Sequence, residues 1–458
     1  MALDAPRPHQ SPISTPGRDA LMSVLHRPPD RAPAAGPARD LDGSTGLSVL
    51  ERLQRTNRSA EIWWDSPPLD FPAWRDEVLS RAPGPAVRRR WAAQFERFMT
   101  PNDPEGSLVR GVTTNPSLIA KSVLNAPQKW SREVRRQATQ QKTFDPESVF
   151  RLIYREVVAQ SAIAMVPMWQ QTDGRYGWVS AQLDPRSMFD PDKMLDEALT
   201  LAQQSPNVMV KVPGTPAGYE VIRELVARAV SINNTLTYTV PQFLACVRAV
   251  EDGLAAAQRA GIGTDRWRAV ITHMIGRYGS NGDLLKDAEE VGVELGPLDV
   301  RWAEVAVLKR IQQILGTRHH PVKMLLSSLE VEDPRVGTDV VSMHLEQTAG
   351  ADIAYTCKPA FVEATMRREE DLVGFAPDAI DQPVPPDVLA RLNRLPYFRR
   401  AVEPDGMRPE QFADHGAFVT TRSEVNQNTR RLIDFIEHHI DELPVSVRNA
   451  GYAGGRRS

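Results

Sequence analysis

The chain has 458 residues, of which 41% are hydrophobic and 25% charged, with a formal net charge of −3. That is the composition of an ordinary globular protein with enough apolar residues for a large core, and the near-neutral balance gives no reason to expect nucleic acid or anionic membrane surfaces as partners. The only cysteines, Cys246 and Cys357, are too few for a disulfide framework and lack metal-ligand spacing, and no stretch approaches the roughly 20 consecutive apolar residues of a membrane span, so a cytoplasmic protein is expected.

Residues 1–58 mix Pro, Arg, Ala, Asp and Ser with little periodic hydrophobicity before Leu47, which reads as a flexible arm ending in a short amphipathic helix over Leu47–Leu53 that docks on the neighbouring domain. From Glu61 the pattern changes. Ile62-Trp63-Trp64-Asp65 is a first short strand, and Leu108 to Thr114 is a second, separated from it by a helical stretch over Trp74–Met99. Helical periodicity over Pro116–Leu124 and Pro146–Met168 leads to a third strand, Gly177–Leu183. A helix over Pro191–Gln204 precedes the fourth, Asn207-Val208-Met209-Val210-Lys211-Val212-Pro213. The alternation continues with a helix over Pro216–Ala229, a strand over Val230–Leu236, a helix over Pro241–Arg259, a strand over Arg268–Met274 and a long helical region over Leu284–Leu315. Strands over Val322–Ser328 and Asp352–Thr356 flank a helix over Val340–Ala349.

Strands alternating with helices imply a parallel sheet with helical crossovers, and this many units over residues 59–366 fit a closed (β/α)8 barrel. No Gly-rich phosphate loop comes after the first strand, which disfavours a doubly wound sheet. Residues 367–458 add no strands and read as a helical extension, with helices over Pro386–Leu395 and Glu424–Leu443 and a frayed tail from Gly451.

In such a barrel the chemistry collects at the carboxyl ends of the strands. The polar residues there are Asp65, Asn115, Gln182, Lys211, Asn233, Thr235, Thr272 with Arg277 nearby, and Ser327 with Ser328. A lysine in a strand buried on both faces is the one to explain. Desolvation lowers its pKa and frees the neutral amine to attack a carbonyl, whereas at a strand end its head can instead snorkel to water. Each of the others has a plain structural reading as well: Asn115 before Pro116 as a helix N-cap, Arg277 as a surface ion pair, Asp65 as a turn residue. Jointly, a carboxylate, a lysine and two amides at one mouth compose a Schiff-base site. The adjacent pairs His319-His320 and His438-His439 lack the i, i+4 spacing of a helical metal site, so no metal is expected.

Gly111-Val112-Thr113-Thr114-Asn115-Pro116-Ser117-Leu118-Ile119-Ala120-Lys121 resembles the Thr-Asn-Pro signature of transaldolases and fructose-6-phosphate aldolases, and Val208–Gly218 resembles their lysine segment. Ile62–Asp65, Val179–Arg186, Asn233–Leu236, Ile275–Arg277 and Gly350–Thr356 match further segments in family order. The resemblance implies a metal-free and cofactor-free class I mechanism on a ketose phosphate: Lys211 forms the imine, Asp65 is general acid and base, Asn115 and Asn233 hold the three-carbon unit, Thr235 with Gln182 positions a water, and Thr272 and Arg277 bind substrate, Arg277 at the phosphate. The chain departs from the family where transaldolases carry Glu and it has Gln182, where Thr272 replaces Ser and Met274 an aromatic residue, and in the seventh strand, where Leu329-Glu330 comes after Ser327-Ser328 without the usual basic phosphate contact. The expected activity is transfer of a dihydroxyacetone unit from a ketose phosphate to an aldose acceptor. An aldolase that releases free dihydroxyacetone is the first alternative, and a non-catalytic barrel acting as a binding subunit the second; a homodimer is left open.

Overall fold

The computed structural model describes residues 46–448 apart from 297, 318 and 337–339. Most of the expected flexible arm and the expected frayed tail from Gly451 lie outside the described residues. Eight parallel strands close into a barrel in sequence order: β1 Glu61–Trp64, β2 Val109–Thr113, β3 Trp178–Gln182, β4 Val208–Pro213, β5 Ile232–Thr237, β6 Ala269–His273, β7 Lys323–Leu326 and β8 Ile353–Cys357. The (β/α)8 fold expected from the strand–helix rhythm is the one observed.

Helices wrap this sheet. In chain order they are α1 Val49–Thr56, α2 Phe71–Ser80, α3 Pro85–Glu96, α4 Pro116–Asn125, α5 Pro127–Gln140, α6 Pro146–Gln171, α7 Pro191–Ala202, α8 Pro216–Val226, α9 Val240–Arg259, α10 Ile275–Ser280, α11 Leu284–Glu290, α12 Asp299–Leu315, α13 Met343–Glu346, α14 Pro359–Arg367, α15 Pro386–Leu392, α16 Pro396–Val402 and α17 Gly416–Asp441. Many open with proline at the first turn, where the missing N–H costs nothing. The helix expected at Leu47–Leu53 forms as α1, closed by a Ser48–Glu51 capping box and burying Val49, Leu50 and Leu53.

Several expected helix bounds need correction; the helix expected over Val340–Ala349, for one, is only Met343–Glu346. Trp74–Met99 is two helices, because Pro83 and Gly84 stop α2 before α3 begins. Leu284–Leu315 is also two, broken after α11 by Gly292 in the left-handed region at φ 64°. The stretch 127–140, without an expected element, is α5, whose buried Trp130, Val134 and Ala138 stand four apart among polar residues.

The interior obeys the two-residue alternation of the strands. At the amino end Glu61 pairs with Arg268 at 2.6 Å and Lys323 at 3.0 Å. Burial pushes this carboxyl up, but the two cations outweigh it and hold it down at about 2. Above lies an apolar layer of Trp63, Trp178, Met209, Val270, Leu325 and Ala354. The Trp63 indole fills the space left by Gly111, where a Cβ would come within 2.5 Å of the ring. The next layer up is polar, and it is the floor of the mouth.

Of the extension, α17 packs against α4, α5, α6 and α10. Its buried stripe, Thr421, Val425, Leu432, Ile433, Ile436 and Ile440, has helical three-and-four spacing. The helix starts at Gly416 and not at the expected Glu424, because His415 anchors it: the imidazole is buried and stacked on Tyr238, Tyr278 and Tyr397 at centroid distances of 5.7, 5.9 and 4.7 Å. Both cysteines are buried and free, and no helix among the described residues is long and apolar enough to cross a membrane.

Candidate active site at the carboxyl end of the barrel

Lys211 lies on β4 with Gln182 of β3 and Asn233 of β5 as its direct neighbours in the sheet. Met209, two residues earlier, belongs to the interior apolar layer, so the alternation turns Lys211 inward. Its residue is 5% exposed, and among the described residues its ammonium has no hydrogen bond and no ion-pair contact. Burial lowers its pKa to about 8, with Asp65 pulling it back up and Arg277 adding to the fall. The buried, uncommitted lysine excludes the snorkelling alternative.

Asp65 comes directly after β1. It accepts a 2.6 Å hydrogen bond from Thr113 Oγ1, and the Thr113 hydroxyl also meets that of Thr356 on β8. Burial raises the Asp65 pKa, while Lys211, the Thr113 hydrogen bond, Lys358 and Arg277 oppose the rise. The carboxyl and the amine thus share a layer in which each moderates the other's charge.

Asn233 is fully buried and clamped on both sides. Its Nδ2 donates to Ser180 Oγ at 2.9 Å, and its Oδ1 accepts from Thr272 Oγ1 at 2.7 Å. Thr272, expected to bind substrate, spends its proton orienting this amide. Asn115 is the N-cap of α4: its Oδ1 accepts from the Leu118 N–H at 2.9 Å, so the helix-cap reading holds, and the cap fixes the side chain at the mouth with its NH2 group unengaged among the described residues. Thr235 faces Pro213 across the β4–β5 pairing, one position above Lys211 on the same face. Gln182 is 5% exposed and its carbonyl accepts from the Tyr154 hydroxyl at 2.7 Å. Neither the Gln182 nor the Thr235 side chain makes a protein hydrogen bond among the described residues.

Two strand ends near the mouth carry non-glycine residues in the left-handed region, Leu236 at φ 58° beside an irregularity in β5–β6 pairing and Ser328 at φ 60° after β7. Backbone held there costs energy that the surrounding packing must supply, and such positions gather at working sites. Arg277, from α10 just beyond β6, is not a surface ion pair alone: it acts electrostatically on both Asp65 and Lys211 and bonds Glu424 of α17 at 2.5 Å.

Sequence reasoning passed over Thr113, Ser180 and Thr356. Thr113 and Ser180 stand two residues before Asn115 and Gln182, so strand alternation alone places them on the same face. Glu424 carried no signal, because its partner Arg277 is 147 residues away. A separate cleft lies between α6 and α7, lined by Tyr154, Glu197 and Arg151 and touching Gln182. It holds a carboxyl, Glu197, that burial raises to about 7, but it lacks the lysine and is not the mouth. His438 and His439, an adjacent pair without i, i+4 spacing, both reach Glu442, at 3.6 and 2.8 Å, a grouping that could take a metal ion. It sits at the far end of α17, and Arg135 also pairs with Glu442.

Fold and mouth together define a parallel barrel that presents a buried, unpaired lysine beside a carboxylate and two oriented amides. The sequence model of the family described as Transaldolase/Fructose-6-phosphate aldolase matches residues 104–397, and the chain belongs to that family. Curated relatives include "Transaldolase 1" of Streptomyces avermitilis, 30% identical over 239 residues that cover 49% of this chain and 62% of the relative. "Transaldolase" of Mycobacterium tuberculosis (strain ATCC 25618 / H37Rv) is 28% identical over 177 residues, covering 38% and 47%. "Transaldolase" of Mycolicibacterium paratuberculosis is 29% identical over 188 residues, covering 41% and 49%. The chain spans about half the length of the curated relatives it matches.

Proposed function

We propose that this chain is a transaldolase-type enzyme that moves a dihydroxyacetone unit from a ketose phosphate to an aldose acceptor through an imine on Lys211. The observation that carries the reading is the state of that lysine: buried, without a partner, and lowered to about 8. At pH 7 such an amine is about one-tenth neutral, against about 0.03% at the ordinary value, a gain of about 300-fold in nucleophile.

The neutral amine attacks the ketone carbon, and loss of water gives a protonated imine. Asp65 takes the proton from the hydroxyl on the carbon beyond the bond to be cleaved. That bond breaks, its electron pair passes into the imine to give an enamine, and an aldehyde departs. The enamine then attacks an acceptor aldehyde, Asp65 returns the proton to the new alkoxide, and water releases the product from Lys211. Asn233, held by Ser180 and Thr272, and Asn115, held by its cap bond, fix the hydroxyls of the bound unit so that it waits for an acceptor. Thr235 and Gln182 flank Lys211 with uncommitted polar groups, where a water of the hydration steps would sit.

Gln182 favours a second reading. An amide cannot accept a proton as a carboxylate can, so the balance between transfer and hydrolytic release is open to change, and an aldolase releasing free dihydroxyacetone fits the same residues. Product analysis separates the two: incubation with a ketose phosphate alone, then with an acceptor aldehyde. Transfer requires that ketose be consumed only when acceptor is present. Free dihydroxyacetone in its absence would sink the transfer reading in favour of the aldolase.

A further inference from the structure

Of the cations that act on Asp65, Lys211 is unpaired while the other two, Lys358 and Arg277, each meet a carboxylate. Lys358, just after β8, pairs with Glu330 beyond the end of β7 at 3.2 Å. Arg277 pairs with Glu424 at 2.5 Å, and its Nη1 also reaches Thr421 Oγ1 at 3.4 Å. Glu424 is no loose surface side chain. It stands on α17 between the buried Thr421 and Val425, so the packed helix presents its carboxylate to Arg277 already placed. The Arg277 side chain is 21% exposed and that of Glu424 46%, so the pair is wetter on the Glu424 side, from which an incoming anion can reach it.

An arginine fork binds a phosphate monoester when its donors are free. Here a resident carboxylate occupies Nη1, and a phosphate group would have to displace it or sit beside a like charge. A neutral hydroxylated end has no such cost, since hydroxyls can donate to Glu424 and accept from Arg277. We propose that Glu424 is a specificity-determining residue: by occupying Arg277 it weakens the preference of this mouth for a phosphorylated over an unphosphorylated keto sugar. The Lys358–Glu330 pair, beyond the adjacent strands β7 and β8, acts in the same direction. The proposal deepens the transaldolase-type reading, on which its substrate half rests; its anion half does not depend on catalysis.

The test uses the full chain and its Glu424→Gln variant, which keeps shape and removes charge. Inorganic phosphate is titrated into each by calorimetry, and kcat/KM is compared for a ketose phosphate and the same ketose without phosphate. Freeing one charge-assisted fork changes affinity by about tenfold, so phosphate binding tightens by about that factor in Glu424→Gln. The ratio of kcat/KM for phosphorylated over unphosphorylated donor rises by a similar factor, mainly through KM. Both gains vanish in the double variant Glu424→Gln/Arg277→Leu. Equal phosphate affinity in the folded wild type and Glu424→Gln overturns the proposal, as does a gain that survives in the double variant. Failure of Lys211 to form an imine together with tighter phosphate in Glu424→Gln would defeat the catalytic reading and leave the Glu424 assignment standing.

Discussion

Replacing Asp65 with Asn tests the coupling at the centre of the site. Asp65 is the group that raises the Lys211 pKa against burial and Arg277, which together hold it at about 8. The two are not in ion-pair contact among the described residues, so their interaction belongs at the low end of the roughly 1–3 pKa units that an opposite charge supplies, about one unit or about 1.4 kcal/mol. Asp65→Asn keeps the shape and removes the charge. The midpoint for imine formation should therefore move down by about one pH unit, even as carbon–carbon cleavage collapses for want of a base. The assay is the initial rate of cyanoborohydride-dependent labelling of Lys211 by dihydroxyacetone between pH 6 and pH 10, quantified on the Lys211 peptide. The midpoint carries the result, whatever the amplitude. A midpoint that stays in place or rises in Asp65→Asn would refute the electrostatic pairing.

The fold and the site yield three more expectations. Lys211 loses its proton near pH 8 in the folded chain and near 10.5 in the unfolded one, so between those values the unfolded state binds more protons and stability rises with pH, by up to about 3 kcal/mol. That rise should be missing in Lys211→Met when urea midpoints are compared at pH 7.5, 8.5 and 9.5; the difference between the two proteins is the readout, because Lys309 is also lowered to about 8 and is common to both. Thr272→Val removes the donor to a fully buried Asn233 oxygen, which should cost about 1–3 kcal/mol in denaturation and, through the freed amide, about tenfold or more in kcat. Gly111→Ala drives a methyl to within 2.5 Å of the Trp63 ring inside a filled barrel and should destabilise by about 1–3 kcal/mol, read as a lower urea midpoint.

Most of the strands were legible because they are short apolar runs, several of them flanked by Pro or Gly, as a sheet buried on both faces requires; β5, Ile232–Thr237, is mostly polar and was placed by the strand–helix alternation. The helix boundaries were less so. Nothing in the apolar spacing of Leu284–Leu315 marks the turn at Gly292, and the core stripe of α5 is three residues among arginines and glutamines. Within the site, Lys211, Asp65 and Asn115 stood out as polar residues in or just beyond apolar strands, and Asn233 through the match of Asn233–Leu236 to a family segment. The hydroxyls that hold them, Thr113, Ser180 and Thr272, look like ordinary strand residues until the closure of the sheet brings Thr113 to Asp65 and both others to Asn233. Glu424 was out of reach for another reason: its effect depends on how α17 packs against α4, α5, α6 and α10, and a stripe on one helix does not say what the opposite side will meet.

The most direct measurement is reduction of the wild-type chain with borohydride in the presence of a ketose phosphate donor, then mass spectrometry of its peptides. A Schiff-base Lys211 predicts a reduced three-carbon adduct on that residue and its loss in Lys211→Met. A folded wild-type protein that carries no adduct there, or carries it on a different lysine, would contradict the imine mechanism and return the barrel to the reading of a binding subunit.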